Sequence, residues 1–325
     1  MMANIPFCRP VRASVSHLRG RFGMHAVLAI LTAAVYVLGS TGCKEPFSPK
    51  GPFEQKMVAY SILTPQSSVQ YVRLYLNYNP PGFDPYAVPT EPYDTSAQVT
   101  IGAPGQTFMF HDTLLSPTLR AFVNSSFKPR PGVQYTLTAV SKYGTISATS
   151  VVPAAGSISI PDQSALLYPA TFAGQTTDVH TILSTQTRGY LVRFVFLFSL
   201  ESDTTFLGQA EVPLSYGQDS AGVAPPEYPQ LQRVVEREPI VSFPVTNYLT
   251  TIAELTGEYQ TRIILKEARF YLIQVDENAY DYYNVVNGFR DQYSIRTDQP
   301  DFTNIQNGLG VFGSFNIDSA VVHLF

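Results

Sequence analysis

The chain has 325 residues, 45% of them hydrophobic, and its 21 basic and 25 acidic residues give a net charge of −4. This balance excludes a basic surface for nucleic acid and gives no electrostatic attraction to anionic lipid headgroups. The two cysteines exclude a fold held by several disulfides, so stability has to come from a hydrophobic core.

The N-terminal residues have the layout of a secretory signal. Four arginines (Arg9, Arg12, Arg19 and Arg21) precede the apolar run Met24–Leu38, and small residues follow it. The run of about 15 residues is shorter than the ~20 that a helix needs to cross a bilayer core. We therefore predict that residues 1–42 are a cleaved signal peptide.

The segment Ser40-Thr41-Gly42-Cys43 resembles a bacterial lipobox, in which the cysteine thiol receives a diacylglycerol and becomes the mature N-terminus. Secretion without lipid and an uncleaved anchor are the alternatives. Removal of Cys8 and acylation of Cys43 would leave no thiol for a disulfide, a metal site or nucleophilic catalysis. The mature chain would carry 17 basic and 25 acidic residues, a net charge of −8.

Residues 43–55 are predicted to be a proline-rich tether. Pro46, Pro49 and Pro52 lie close together after Cys43. Proline keeps a chain extended and outside helices and sheets. The tether would therefore separate the lipid from the folded part of the chain.

Residues 56–155 are predicted to form an immunoglobulin-like β-sandwich. In Tyr71–Asn77 the apolar and polar residues alternate, which is typical of a half-buried strand. The same strand-like pattern recurs at Gln98–Ile101, Gln106–Phe110, Gln134–Val140 and Thr145–Val152. Short strands with frequent turn signals favour a sandwich.

Residues 156–325 are predicted to form a second antiparallel β domain with one short amphipathic helix near 278–290. The apolar run Gly189–Leu200 and the segment Arg262–Val275 are its long strand candidates. Between them, 213–244 is rich in proline and is predicted to be a loop, with an edge strand at Ile240–Phe243. Asp276 or Asn278 can cap the helix. The whole chain is thus expected to be mainly β.

Several motifs resemble catalytic or metal sites, but their sequence context favours a structural role. Gly308–Gly313 matches the spacing of a dinucleotide-binding loop but lacks the strand before it and the helix after it. His111, His180 and His323 are isolated, so no zinc spacing exists. We predict no metal, no cofactor and no enzyme activity, although paired carboxylates of a glycoside hydrolase would leave no local signature.

A tyrosine-rich loop is the candidate ligand-binding site. Segment 77–94 holds Tyr78, Phe83, Tyr86 and Tyr93 among prolines. Clustered exposed aromatic side chains tend to mark recognition surfaces. A loop packed against itself is the alternative.

The segment Asn304–Gly313 resembles the closing motif of the "domain of unknown function 4249" family. The resemblance implies an outer-membrane lipoprotein of a Gram-negative bacterium, often encoded beside energy-coupled nutrient importers, and it supplies no catalytic residue. Ser314 stands where the family usually has glycine. We expect the motif to be structural, because glycine permits positive φ and close backbone approach; its residues are Asn304, Asn307, Gly308, Leu309, Gly310, Phe312 and Gly313.

Together these features predict a protein attached to the outer membrane by the lipid on Cys43. The Lys44-Glu45 pair is similar to the start of a surface-export signal, so the protein could lie at the cell surface. The expected role is to bind a ligand or to partner an energy-coupled importer. A surface polysaccharide hydrolase and a structural or adhesion protein are the alternatives.

Overall fold

The computed structural model describes residues 53–78, 92–117, 119–217, 225–287 and 302–324, with the backbone alone at 285–287. Residues Glu54–Phe325 form one compact unit. The predicted signal peptide, Cys43 and tether residues 43–52 lie outside the described residues. Strands dominate the described part of the chain, which confirms the mainly β prediction. None of its helices is long and apolar enough to span a bilayer.

Seven strands form the first half of the fold. Their inward residues alternate with half-buried or exposed ones, as Val72 and Leu74 do with Arg73 and Tyr75 in the second strand. The strands are β1 (Met57–Leu63), β2 (Gln70–Leu76), β3 (Gln98–Ala103), β4 (Gln106–Ser116), β5 (Leu119–Asn124), β6 (Gln134–Ser141) and β7 (Gly144–Val151).

These strands form the two layers of a sandwich. One layer has the order β1-β2-β5 and the other β4-β3-β6-β7. The long strand β4 pairs with β3 through its first residues and with β5 through its last, so it joins the two layers. Side chains from both layers share one core around Phe127 and Tyr135. This order is that of a fibronectin-type or immunoglobulin-like sandwich, as predicted.

The second half is built on a long antiparallel pair. Strands β10 (Gly189–Leu200) and β16 (Ile263–Val275) pair along their whole length, and β17 (Leu309–His323) adds to β16. The shorter strands are β8 (Ser157–Ser159), β9 (Thr176–Ile182), β11 (Gly208–Glu211), β12 (Ser215–Tyr216), β13 (Pro226–Glu227), β14 (Gln232–Arg233) and β15 (Ile240–Pro244). The last of these confirms the edge strand predicted at Ile240–Phe243.

The described residues contain three helices, α1 (Ser164–Leu167), α2 (Val245–Tyr259) and α3 (Glu277–Asn287), whereas the sequence predicted only the last. Helix α2 was missed because it begins with β-branched and polar residues of low helix propensity. Packing compensates, since Tyr248 is buried against Phe194 and Phe196 in the second core and Val245 is buried as well.

Strand β17 belongs to both halves of the fold. Leu309–Ser314 pairs with β1, and Phe315–His323 pairs with β16. The pairing with β1 is parallel, unlike every other strand pair in the described residues, whereas the strand pairs within the second half are antiparallel, as predicted. The two cores meet along this strand, because Phe312 lies in the first and Val322 in the second.

Candidate binding site

A cavity of about 400 Å³ lies where β1, β2, α3 and the start of β17 meet. We call it the aromatic cavity because four of its lining residues are tyrosines and one is a phenylalanine. Its lining consists of uncharged residues, most of them apolar or aromatic. They are Val58, Tyr60, Tyr75, Asn77, Tyr78, Tyr282, Phe302, Thr303, Leu309 and Gly310.

Three tyrosine rings pack together in this cavity. Tyr60 faces Arg73 across the β1–β2 ladder, which places Tyr75 diagonally beside it on the same side of the sheet. The rings of Tyr60 and Tyr75 are stacked with centroids 6.0 Å apart. Tyr282 of α3 meets Tyr60 edge-on at 5.7 Å. The Arg73 guanidinium lies 5.4 Å from the centroid of Tyr75 and supports this ring from outside the cavity lining.

The tyrosine hydroxyls of the aromatic cavity are uncharged at physiological pH. Burial, followed by contact with the Tyr75 hydroxyl, raises the pKa of Tyr60. Burial, followed by the proximity of Tyr60, raises the pKa of Tyr282. Both phenols therefore stay protonated at physiological pH and offer ring faces together with hydroxyl groups. Such a surface suits an uncharged ligand that has both apolar faces and polar groups.

The structure separates the two described residues of the predicted tyrosine-rich site. Tyr78 lines the aromatic cavity. Tyr93 lies instead with Leu74, Phe122 and the Asp112–Arg120 ion pair, in a gap too small to hold a ligand. Phe83 and Tyr86 lie outside the described residues.

Sequence reasoning missed the other aromatic residues of the cavity. Alternation along Tyr71–Asn77 places Tyr75 with the polar residues on the outer face of its strand, and Tyr282 belongs to the segment predicted as an amphipathic helix. The alternation was read correctly, but it does not reveal that a helix from the far end of the chain covers that outer face. Phe302 carried no signal of its own.

The closing motif forms one wall of the cavity and joins the edges of the sandwich. The Asn304 side chain donates to the Phe312 carbonyl at 2.8 Å and accepts from the Phe312 amide at 2.9 Å, as a paired strand would. Gln306 bridges to Ser147 of β7. Leu309 and Gly310 line the cavity. Asn304–Leu309 thus spans from the β7 edge to β1.

The small residues of the motif allow close packing on both sides. A Cβ at Gly308 would lie 2.9 Å from the Met57 carbonyl oxygen, and one at Gly313 would lie 2.9 Å from the Ala279 Cβ. Asn307 has a positive φ of 59°, a conformation that asparagine tolerates better than most residues. The described contacts of the motif are therefore those of a packing element.

A second, polar cleft of about 560 Å³ lies between β7 and the start of α3. We call it the polar cleft. Its buried acid is Asp276, whose Oδ1 accepts from the amides of Ala279 at 2.9 Å and Ser314 at 3.1 Å. Its Oδ2 accepts from the Ser150 hydroxyl at 2.8 Å. Asp276 therefore caps α3, as one of the two predicted capping residues, and all its hydrogen bonds hold the fold together.

A second charged group of the polar cleft, Arg237, is also engaged by the protein. The Arg237 guanidinium donates to the carbonyls of Ser184 and Thr187 at 2.6 and 3.0 Å.

The three histidines considered as metal ligands are on separate strands of the fold. His111, His180 and His323 lie on β4, β9 and β17. In the described residues no group of three His, Cys, Asp or Glu side chains is placed to hold a metal ion.

Comparison with known proteins gives one family match. A family model described as "Domain of unknown function (DUF4249)" matches residues 44–320. No curated protein matches the chain. Among solved structures, the "Crystal structure of chicken CNTN1 FN1-FN3 domains" is 10% identical over 69% of this chain, with a TM-score of 0.20. The match covers 60% of the chain in that structure.

Proposed function

This chain belongs to the DUF4249 family over residues 44–320, and from that premise we propose that it is a non-enzymatic, lipid-anchored protein of the outer membrane. Its proposed role is to bind an uncharged ligand or partner segment in the aromatic cavity. An energy-coupled nutrient importer of the same membrane is the proposed partner. The lipid on Cys43 would keep the protein beside it.

The observation that carries the binding role is the lining of the aromatic cavity. Concave sites of about 300–1,000 Å³ with mostly apolar walls and a few polar groups are the usual form of ligand sites. At about 400 Å³ the aromatic cavity falls in this range. Tyrosine provides a large contact area at a low cost in side-chain entropy, which favours recognition.

Two observations support binding over turnover. Among the described residues, the lining of the aromatic cavity offers no titratable acid, base or nucleophile other than tyrosine hydroxyls. In the polar cleft, Asp276 already accepts three hydrogen bonds from the protein, which leaves it poorly placed to act on a substrate. A surface polysaccharide hydrolase and a structural or adhesion protein stay as alternatives.

Truncating the tyrosines of the aromatic cavity tests the binding role. Binding to a panel of uncharged oligosaccharides and proline-rich peptides would be measured by isothermal titration calorimetry. For a panel member that binds, Tyr75→Ala and Tyr282→Ala should each weaken affinity by about tenfold or more, the usual effect of losing a buried aromatic contact. Tyr71→Ala is the matched control, because Tyr71 is 46% exposed on the same strand and does not line the cavity.

An absence of binding across the panel would contradict the proposal, and so would an equal loss in all three variants. Thermal unfolding of each variant separates loss of the site from loss of the fold. A second readout is co-purification of an importer with the tagged protein from detergent-solubilised envelopes, compared between wild type and Tyr282→Ala.

The proposed lipid anchor is tested at the N-terminus of the native protein. Mass spectrometry should find a mature chain that starts at a diacylglyceryl-modified Cys43, because the lipobox-like segment ends there. Cys43→Ser should release the protein from the membrane fraction. An unmodified Cys43 or an intact leader in the native protein would contradict the proposed anchor.

A further inference from the structure

We propose that the tip of the β4–β5 hairpin rests on the lipid surface beside the anchor, so that the protein has a second, protein-borne contact with the membrane. The inference rests on the proposed lipid anchor and extends it. We define the hairpin tip by its described residues, Leu114–Pro117 and Leu119.

The hairpin tip is unusually apolar for a solvent-exposed turn. Leu114 is 58% exposed, Leu115 44% and Leu119 36%. Single exposed leucines are common, but three within six positions at one end of a hairpin concentrate exposed apolar surface, and such concentrations tend to mark an interaction site. These leucines are outside the hydrophobic core, which β5 first reaches at Ala121 and Phe122.

Strand register places the tip at the end of the sandwich where β1 begins. Met57 pairs with Leu76, so the end of β2 lies beside the start of β1. Val72 pairs with Phe122 in an antiparallel ladder, so Leu119 lies toward Leu76 rather than toward Gln70. The hairpin tip and the point where the chain enters the fold are therefore on the same end. We call it the tether end.

The β6–β7 turn lies at the tether end as well. The Ser141 hydroxyl contacts the Met57 sulfur at 3.3 Å. In the same turn, Lys142 lies 5.0 Å from the centroid of the Tyr143 ring, which is 39% exposed. Leucine, tyrosine and lysine side chains together are typical of surfaces at a membrane interface.

The length of the tether brings a membrane within reach of this end. Nine residues lie between Cys43 and Phe53, and a fully extended chain over these ten residue-to-residue steps spans at most about 35 Å. A lipid on Cys43 would therefore keep the tether end within about 35 Å of the bilayer. Phe53, at the entry to the fold, is itself 48% exposed.

The chemistry of the contact is apolar rather than electrostatic. The predicted mature chain carries a net charge of −8, which gives no general attraction to anionic headgroups. Leucine side chains can instead enter the boundary between headgroups and acyl chains, and this contact does not depend on lipid charge. The proposed contact should therefore form on zwitterionic membranes and persist in high salt.

The experiment uses the lipidated mature protein in phosphatidylcholine vesicles. Leu115→Cys provides the only free thiol once Cys43 is acylated, and this thiol would be labelled with an environment-sensitive fluorophore. The label should shift to the blue and be quenched several-fold by lipids brominated on their acyl chains, with no loss in high salt. The matched control is Leu207→Cys, because Leu207 is 67% exposed between β10 and β11, and its label should stay unquenched.

A label at position 115 that stays unquenched, on a chain whose Cys43 carries lipid, would overturn the membrane contact alone. A blue shift that depends on protein density and not on bromination would assign the hairpin tip to a second copy and also overturn it. An unmodified Cys43 would overturn the anchor and this inference together. Quenching at position 115 but not at position 207 supports it.

Discussion

Replacing Gly310 by alanine is expected to destabilise the protein by about 3–5 kcal/mol, from the sum of backbone strain and a forced steric overlap. Gly310 has a φ of +105°, which L-residues rarely adopt. A Cβ there would overlap the Ala59 carbonyl oxygen and lie 2.9 Å from its carbonyl carbon. Because these atoms belong to the paired backbone of β1, no side chain can rotate away to relieve the overlap. Urea unfolding measures the loss.

Gly144→Ala separates the two contributions. Gly144 has a similar φ of +123° but nothing lies within 4 Å of the Cβ position. Gly144→Ala should therefore be destabilised by backbone strain alone, by about 1–2 kcal/mol. Since natural domains have about 5–15 kcal/mol of stability, Gly310→Ala is expected to populate the unfolded state and Gly144→Ala is not. Equal losses in the two variants would contradict the close approach of β17 to β1.

Asp276 is expected to make the protein less stable as the pH rises from about 4 to about 6. Burial raises the pKa of Asp276 to about 6 against the ordinary 3.8, and its hydrogen bonds from Ala279, Ser150 and Ser314 offset only part of that effect. The folded state therefore holds the proton at a pH where the unfolded state has lost it. The favourable contribution of the protonated acid is complete below the ordinary pKa and is lost as the pH rises through 6.

The size of this effect is on the order of 2–3 kcal/mol, because one pKa unit corresponds to about 1.4 kcal/mol. Asp276→Asn keeps an oxygen for the helix cap and removes the buried charge, so its stability should be nearly independent of pH in this window. Asp276→Ala loses the cap and leaves the Ser150 hydroxyl and the Ser314 amide without their acceptor. It should cost about 2–4 kcal/mol near pH 4, and this cost should shrink as the pH rises to 6, because only the wild type loses stability there.

Asp162→Asn is the control with the opposite sign. Hydrogen bonds from Ser164 lower the pKa of Asp162, so this acid adds stability as the pH rises rather than removing it. Denaturant unfolding between pH 4 and pH 7 compares wild type with the variants. If wild type and Asp276→Asn lose stability in parallel over this range, Asp276 is not the group responsible.

The site was only partly predictable because it is assembled from distant parts of the chain. Aromatic richness around the end of β2 singled out Tyr78, which lines the aromatic cavity. Tyr60 and Tyr282 are 222 positions apart in the chain, yet their rings meet at 5.7 Å. Neither residue has a local pattern that distinguishes it from an ordinary strand or helix tyrosine. Their meeting depends on how α3 docks onto the sandwich.

Local patterning determined five of the seven strands of the sandwich, the long buried strand at Gly189–Leu200 and the capped start of α3, because alternation, apolar length and capping are properties of neighbouring residues. It did not predict β1 or β5. Tertiary structure alone decided that Val245–Tyr259 is a helix, since core packing there outweighs the β-branched residues. It also decided that β17 runs beside β1 and then β16. Pairing between the two ends of a chain depends on backbone approach at Gly310 and on contacts of Phe312, which no nearby residue specifies.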